Sequence, residues 1–360
     1  MLRGRLGVAL LVLSSSLFIS CASNSHSARL AAQPAALACA GSELTRCIAA
    51  YLGSIAEHGG PKRGFTGFAG VAHHGEWVFA QGYGQADFAQ GMVPDADTRF
   101  HIGSVTKQFT ALAVMQLVER GVLRTDDPVS KYVRALSGKI GKVTLHQLLS
   151  HSSGIASYTD DEPLMHRWQA GLTASEVLET FRKAPLHFEP GTRFEYSNSN
   201  YYLLGLVIEG ATGHPYHAWL QQQVLGPATM SRSTATVPID TSNTAIGYTV
   251  DKRGALTPAP ADDLRLAFAA GALRSTANDM LAWDRALASH SLLSPAAQAR
   301  WATPLRQLVR HRDPGRDPTW VGYAYGILIR RMGDYDVQGH GGASAGFSAY
   351  FARQPEQGWC

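Results

Sequence analysis

Strand-like runs stand at both ends of this chain, and the long stretch between them is mostly helical in pattern. On the N-terminal side, "GFAGVAHHGEWVFAQGYGQAD" reads as two strands around a turn at His74-Gly75. On the C-terminal side, "YAYGILIRRM", "YDVQGHGG" and "GFSAYFARQ" have the same character. From Arg124 to about Leu264, helical patches such as "TLHQLLSHSSGI" and "NYYLLGLVIEGATG" are broken by Pro and Gly. That order predicts an α+β protein, an α/β sandwich in which an antiparallel sheet flanked by helices is interrupted by an inserted all-helical subdomain at about 124–264. A further helix pattern, "SELTRCIAAYLGSIAEHG", begins at Ser42 as N-cap, and "AAGALRSTANDMLAWDRALA" predicts a helix capped by Ser275 or Thr276. The glycines of "GYGQAD" open no helix and have no acidic partner in a βαβ context, so they read as a strand end rather than a dinucleotide site.

With 360 residues, 45% hydrophobic and 17% charged, the chain can bury a sizeable core. The formal charge of +4 includes Arg3 and Arg5, so it falls to +2 without the first 20 residues and leaves no field for nucleic acid. "RQLVRHRDPGRDP", Arg306 to Pro318, mixes Arg with Asp and Pro and reads as a solvated loop. Arg3 and Arg5 stand ahead of "GVALLVLSSSLFIS", which is too short and too Ser-rich for a membrane span and predicts an export signal over 1–20. "LFISC", ending at Cys21, resembles a bacterial lipobox with Phe18 where Leu is usual, and "ACA", Ala38 to Ala40, is the alternative cleavage site. The expectation is an exported chain, periplasmic or anchored to the membrane by lipid on Cys21, with a tether over 21–40 and one domain over 41–360. Cys39 and Cys47 could close a short disulfide or remain free. No Cys/His spacing suggests zinc, His73 and His74 fall in a turn, and neither metal nor cofactor is expected.

In "FHIGSVTKQFTALAVMQLVERG", Ser104 and Lys107 stand three residues apart where a helix-periodic run begins. A serine there is ordinarily a cap, yet the same spacing puts the ammonium against the hydroxyl at a helix end that favours developing negative charge. Such a nucleophile needs a base and an oxyanion stabiliser. Tyr196 in "FEYSNSNYYLLG" is the candidate for the first, with Asn198 two residues on to hydrogen-bond Lys107 or a substrate carbonyl; the alternative is a half-buried aromatic beside a helix cap. His340-Gly341-Gly342 in "GHGGASAGF" offers a strand edge without side chains, where the Ala343 amide could pair with that of Ser104; the alternative is a Gly-rich hairpin with a surface histidine.

The ordered set Ser104-x-x-Lys107, Tyr196-x-Asn198 and His340-Gly341-Gly342 resembles the serine hydrolase family of class C β-lactamases, D-alanyl-D-alanine carboxypeptidases and related esterases. "TLHQLLSHSSGI" and "AAGALRSTANDMLAW" are similar to framing segments of that family, and the resemblance covers most of the chain after the leader. It implies a β-lactamase/transpeptidase-like fold in which Ser104 becomes acylated and Lys107 and Tyr196 shuttle its proton, either being the base. It further implies that Asn198, His340 and Gly342 bind substrate and that the amides of Ser104 and Ala343 hold the oxyanion. His340 stands where true class C β-lactamases carry a lysine, which points away from efficient β-lactam hydrolysis. The family continues beyond a stretch like "FSAYFARQPEQG" into a strand and a closing helix, and their lack here implies an uncovered sheet edge. An acyl-serine hydrolase for a peptide, ester or β-lactam carbonyl is the leading expectation. A penicillin-binding or sensing module that acylates without turnover, and an inactive shortened homologue, are the alternatives. The "TDDEP" loop is expected to be solvated or to rim the site, and His151 to hydrogen-bond backbone.

Overall fold

A computed structural model of the chain describes Arg46, Ala50 and residues 65–360 except 168–171, 183, 237–240, 252–253, 261–263 and 306–319. The predicted leader and tether, Cys21, Cys39, Cys47, nearly all of the helix pattern from Ser42 and the loop from Arg306 lie outside the described residues.

Strands β1 (Gly67–His73) and β2 (Glu76–Tyr83) form the expected antiparallel hairpin. His74 and Gly75 turn it with φ of 50° and 75°, the left-handed pair whose twist suits a two-residue loop. Then follow β3 (Phe100–His101), α1 (Thr106–Glu119), α2 (Gly138–Gly141), α3 (Leu145–Leu149), α4 (Glu162–His166), α5 (Ala174–Arg182), α6 (Asn198–Thr212) and α7 (Tyr216–Leu220). A short hairpin, β4 (Tyr248–Val250) with β5 (Leu256–Pro258), comes next, so the stretch expected to be all-helical is not wholly so. Three-residue strands are too short to show the alternation that would mark them in sequence. The chain continues through α8 (Leu264–Gly271), β6 (Arg274–Ser275), α9 (Ala277–Ala288), α10 (Pro295–Ala302), β7 (Trp320–Tyr323), β8 (Leu328–Met332), β9 (Tyr335–Ser344) and β10 (Phe347–Arg353). Thr276 rather than Ser275 caps α9, its hydroxyl accepting the Asp279 N–H at 3.1 Å.

The architecture is α+β. Four antiparallel strands run in the order β10-β9-β8-β7, β1 pairs with β2, and β3 pairs with β6. Cys360 exchanges backbone hydrogen bonds with Ala72 of β1 at 2.7 and 2.9 Å, and the Trp359 ring stacks on His73 at 4.2 Å. Arg353 at the end of β10 reaches α9, where its Nε donates to Asp284 at 2.7 Å with both side chains 6% exposed.

Helix α1 is the centre of the core, buried at every position from Thr106 to Leu117. Leu112, Val114, Met115 and Phe109 lie on different faces of it, which is why its sequence shows little amphipathic contrast. The polar side chains this buries are paired with carbonyls of neighbouring elements: Thr110 donates to Ala269 at 2.7 Å, and Gln116 to Gln223 and Leu292 at 3.1 Å each. Phe109 packs on Trp283 of α9 with ring centroids 4.2 Å apart. Helix α6 is buried over most of its first three turns and stops at Gly213, whose φ of 73° is a left-handed C-terminal cap.

Candidate active site

Ser104 lies in a 3-10 turn, Gly103–Val105, that runs directly into α1, and neither helix start takes a side-chain cap. Its hydroxyl is thus not spent on the helix. One turn along, Lys107 is fully buried and its Nζ reaches three acceptors: Ser104 Oγ at 2.9 Å, Asn198 Oδ1 at 2.8 Å and the Ala270 carbonyl at 2.7 Å. Among the described residues no carboxylate pairs with it, and burial holds its pKa well below the usual lysine value. A neutral amine in this place donates to Asn198 and Ala270 and turns its lone pair to the Ser104 hydroxyl.

Asn198 opens α6 and is held from its other side. Its amide nitrogen Nδ2 donates to Thr159 Oγ1 at 3.0 Å, its backbone N–H donates to Ser157 Oγ at 3.1 Å, and the Ser157 and Thr159 hydroxyls are 2.8 Å apart. The loop after "LLSHSSGI" therefore orients Asn198 through Ser157 and Thr159. Tyr196, two residues earlier, is 37% exposed, and its hydroxyl shares a hydrogen bond with Ser104. Its surroundings raise the phenol pKa by desolvation, more than the hydrogen bond shared with Ser104 lowers it, so Tyr196 begins as a neutral phenol. Lys107 Nζ stands 5.0 Å from the centre of the Tyr196 ring.

Strand β9 meets the Ser104 turn backbone to backbone. A side-chain carbon on Gly342 would lie 1.9 Å from the Ile102 carbonyl oxygen and 2.9 Å from the Ser104 nitrogen. One on Gly103, whose φ is 48°, would lie 2.7 Å from the Ala343 nitrogen. Only glycine fits at these two places, and their contact brings the amides of Ser104 and Ala343 together. His340, expected to bind substrate, is 4% exposed; its Nδ1 bonds the Gly341 carbonyl at 2.5 Å and its Nε2 meets the Tyr323 hydroxyl at 3.2 Å. Burial, the largest cause, lowers its pKa to about 3, so the ring is neutral.

Ser104, Lys107, Tyr196, Asn198, Gly342 and Ala343 are thus gathered at one place. The Ala270 carbonyl and the Ser157 hydroxyl have no sequence signature of their own. The Ala270 carbonyl is aimed by the backbone of α8, where Phe268 interrupts the helix with φ 40° and ψ −135°. Ser157 and Thr159 lie in a segment whose polar residues look like an ordinary loop. His151 is fully buried, with Nδ1 accepting from the Ser197 N–H and Asn200 Nδ2 at 3.1 Å each. Among the described residues, no group of three or more His, Cys, Asp or Glu could hold a metal, and no helix is long and apolar enough to cross a membrane.

A Bacillus subtilis protein named as a penicillin-binding protein, PbpX, is 30% identical over 243 residues, 67% of this chain and 59% of that protein. The chain thus spans about three fifths of the length of that curated relative. The octameric penicillin-binding protein homologue of Pyrococcus abyssi superposes with a TM-score of 0.72 at 30% identity, covering 81% of this chain and 67% of that one. A D-stereospecific amidohydrolase from Streptomyces sp. gives 0.68 at 26% identity over 81% and 86%. Residues 44–360 match the family model described as Beta-lactamase, and the chain belongs to that family of serine hydrolases.

Proposed function

We propose that the chain is an acyl-serine hydrolase acting on amide and ester carbonyls, with Ser104 as nucleophile. The observation that carries this reading is the coordination of Lys107, whose nitrogen has two fixed acceptors besides Ser104 and, among the described residues, no carboxylate to keep it charged. In the proposed reaction the Ser104 oxygen bonds the substrate carbonyl carbon while its proton passes to Lys107. The carbonyl oxygen gains charge and is held by the amides of Ser104 and Ala343. As the tetrahedral adduct collapses, the bond to the leaving nitrogen or oxygen breaks, and Tyr196 gives that atom its phenolic proton. The proton on Lys107 then restores Tyr196. Water reverses these steps to free the acid.

The similarity to a protein described as an amidohydrolase supports amides, and the buried neutral His340 supplies no fixed charge for a substrate carboxylate. Amides and esters therefore stand ahead of β-lactams and D-Ala-D-Ala peptides. The test is turnover of p-nitrophenyl butyrate, a D-amino acid amide, nitrocefin and a D-Ala-D-Ala peptide, with intact-protein mass to detect the acyl adduct. The reading expects an adduct on Ser104 that is absent in Ser104→Ala; an adduct that survives in the alanine variant would refute it. Export with lipid on Cys21 is part of the same proposal, supported by Arg3, Arg5 and the apolar run ending at Cys21. Recovery of the full-length, unlipidated chain from the cytoplasm would refute that part.

A further inference from the structure

We propose that Tyr323 is a positioning residue for acyl transfer, its hydroxyl tying the Tyr196–Asn198 turn to the strand that carries Gly342 and Ala343. The inference rests on the acyl-serine reading and goes beyond it, because Tyr323 belongs to none of the three motifs.

The hydrogen bonds fix their own direction. His151 Nδ1 receives two N–H donors, from Ser197 and from Asn200, so that nitrogen is unprotonated and the ring proton sits on Nε2. Asn200 is oriented independently, because its Oδ1 accepts from the Ser153 hydroxyl at 2.6 Å, and that hydroxyl also accepts the Ile155 N–H at 3.0 Å. His151 Nε2 therefore donates to the Tyr323 oxygen at 3.2 Å. At the other end, His340 Nδ1 faces the Gly341 carbonyl, which can only accept, so the proton of that ring is on Nδ1 and Nε2 is bare. The Tyr323 hydroxyl supplies the missing donor at 3.2 Å. Tyr201, whose ring lies near His151, donates its own proton to the Leu149 carbonyl at 2.9 Å, so in the hydrogen bond it shares with Tyr323 its oxygen can only accept, as a second acceptor beside His340 Nε2.

One unbroken line thus runs from the Ser197 amide, between Tyr196 and Asn198, to the Gly341 carbonyl, next to Gly342. His151, Tyr323 and His340 are 0%, 2% and 4% exposed, so water cannot replace the hydroxyl. Removing it leaves a buried N–H without an acceptor and a buried nitrogen without a donor, at the joint between the proton-transfer groups and the oxyanion strand. Rings crowd this joint: Tyr196 lies 4.3 Å from His151 and 6.0 Å from His340 between centroids.

The experiment has two readouts on the full chain. In 15N spectra of histidine-labelled protein, His340 should show the Nδ1–H tautomer and His151 the Nε2–H tautomer. In burst kinetics with p-nitrophenyl butyrate, Tyr323→Phe should lower the acylation rate about a hundredfold per folded molecule, as small misplacements at reacting atoms do, with KM nearly unchanged. His340→Leu should cost a similar factor, and the double variant should be little worse than either, as expected for groups acting as one unit. The inference is overturned if His340 carries its proton on Nε2, or if Tyr323→Phe acylates at the unmodified rate. A variant that does not fold leaves the tautomers of the unmodified protein to decide. Failure of the unmodified protein to acylate at all refutes the proposed function and this inference together, whereas normal acylation in Tyr323→Phe refutes only the latter.

Discussion

Lys107 Nζ and Asn198 Oδ1 stand 2.8 Å apart, joining the helix that starts beside Ser104 to the helix that starts at the Tyr196 turn. The acceptor is a neutral amide, which matters because a carboxylate there would favour the charged ammonium. Asn198→Asp should therefore slow acylation by Ser104 more than Asn198→Ala does, by about a hundredfold against the parent at neutral pH. Stopped-flow acylation of the three proteins compares them directly, and an aspartate variant as fast as the alanine variant would contradict the neutral-amine account.

The same account fixes a pH dependence. Lys107 must be unprotonated to accept the serine proton, and its pKa lies well below the ordinary lysine value. Acylation should be present above that lowered pKa and fall away as the solution is acidified through it. Lys107→Ala should reduce the rate roughly a thousandfold and remove this limb of the profile. A profile in the alanine variant with the parent's shape would assign the limb to another group.

Gly342 makes a steric prediction. A methyl at this position meets the Ile102 carbonyl at 1.9 Å, so the strand must retreat from the Ser104 turn. Gly342→Ala should cut acylation at least about a hundredfold, since the oxyanion donors separate. Circular dichroism should still show a folded protein. Wild-type activity in this variant would mean that β9 does not form the oxyanion site.

Stability should fall on acidification for a reason separate from catalysis. The pKa of His340 is lowered to about 3 and that of His101 to about 4, both by burial first, against an ordinary value of 6.5. Between pH 6.5 and these values the unfolded chain binds protons that the folded chain refuses, so stability is lost as pH falls through that window. For His101, 6% exposed, the loss is on the order of 3 kcal/mol. Asp279 opposes it modestly, because desolvation raises its pKa. Thermal unfolding between pH 7 and 4 reads the sum; a flat Tm would show that these rings are not buried as neutral groups.

Arg353 and Asp284 make a buried pair that links β10 to α9 at 2.7 Å. Asp284→Ala leaves the guanidinium without its partner and should destabilise the protein by about 3–5 kcal/mol in urea unfolding. Replacing both residues with apolar ones should recover much of that, and an additive double variant would argue against coupling.

The parts that were legible in the sequence are those fixed by local pattern. The hairpin turn at His74-Gly75, the helix after Ser104 and the strands around His340 each follow from periodicity or a turn residue. Ser104 and Lys107 share a helix turn, so their contact follows from spacing alone. What escaped was made by tertiary contact. Tyr323 meets His151 across 172 residues of sequence. The Ala270 carbonyl carries no residue code, since any amino acid offers one. Its direction comes from the Phe268 backbone, whose φ of 40° is unusual for a residue with a large side chain. His340 was read in the strand where it lies, but its hydrogen bond to Tyr323 has no signature in the sequence.

A helix with no face toward solvent has a consequence for how the molecule comes apart. Helix α1 is enclosed from Thr106 to Leu117 by partners as distant as Tyr216 on one side and Trp283 on another. Alone in water it would expose apolar surface on every side, so it gains most of its stability only once its neighbours have docked. The inserted helices and the strand-bearing ends are in this sense one cooperative unit built around a shared axle. The setting of Ser104 at the head of that axle should vanish in the same transition that melts the rest.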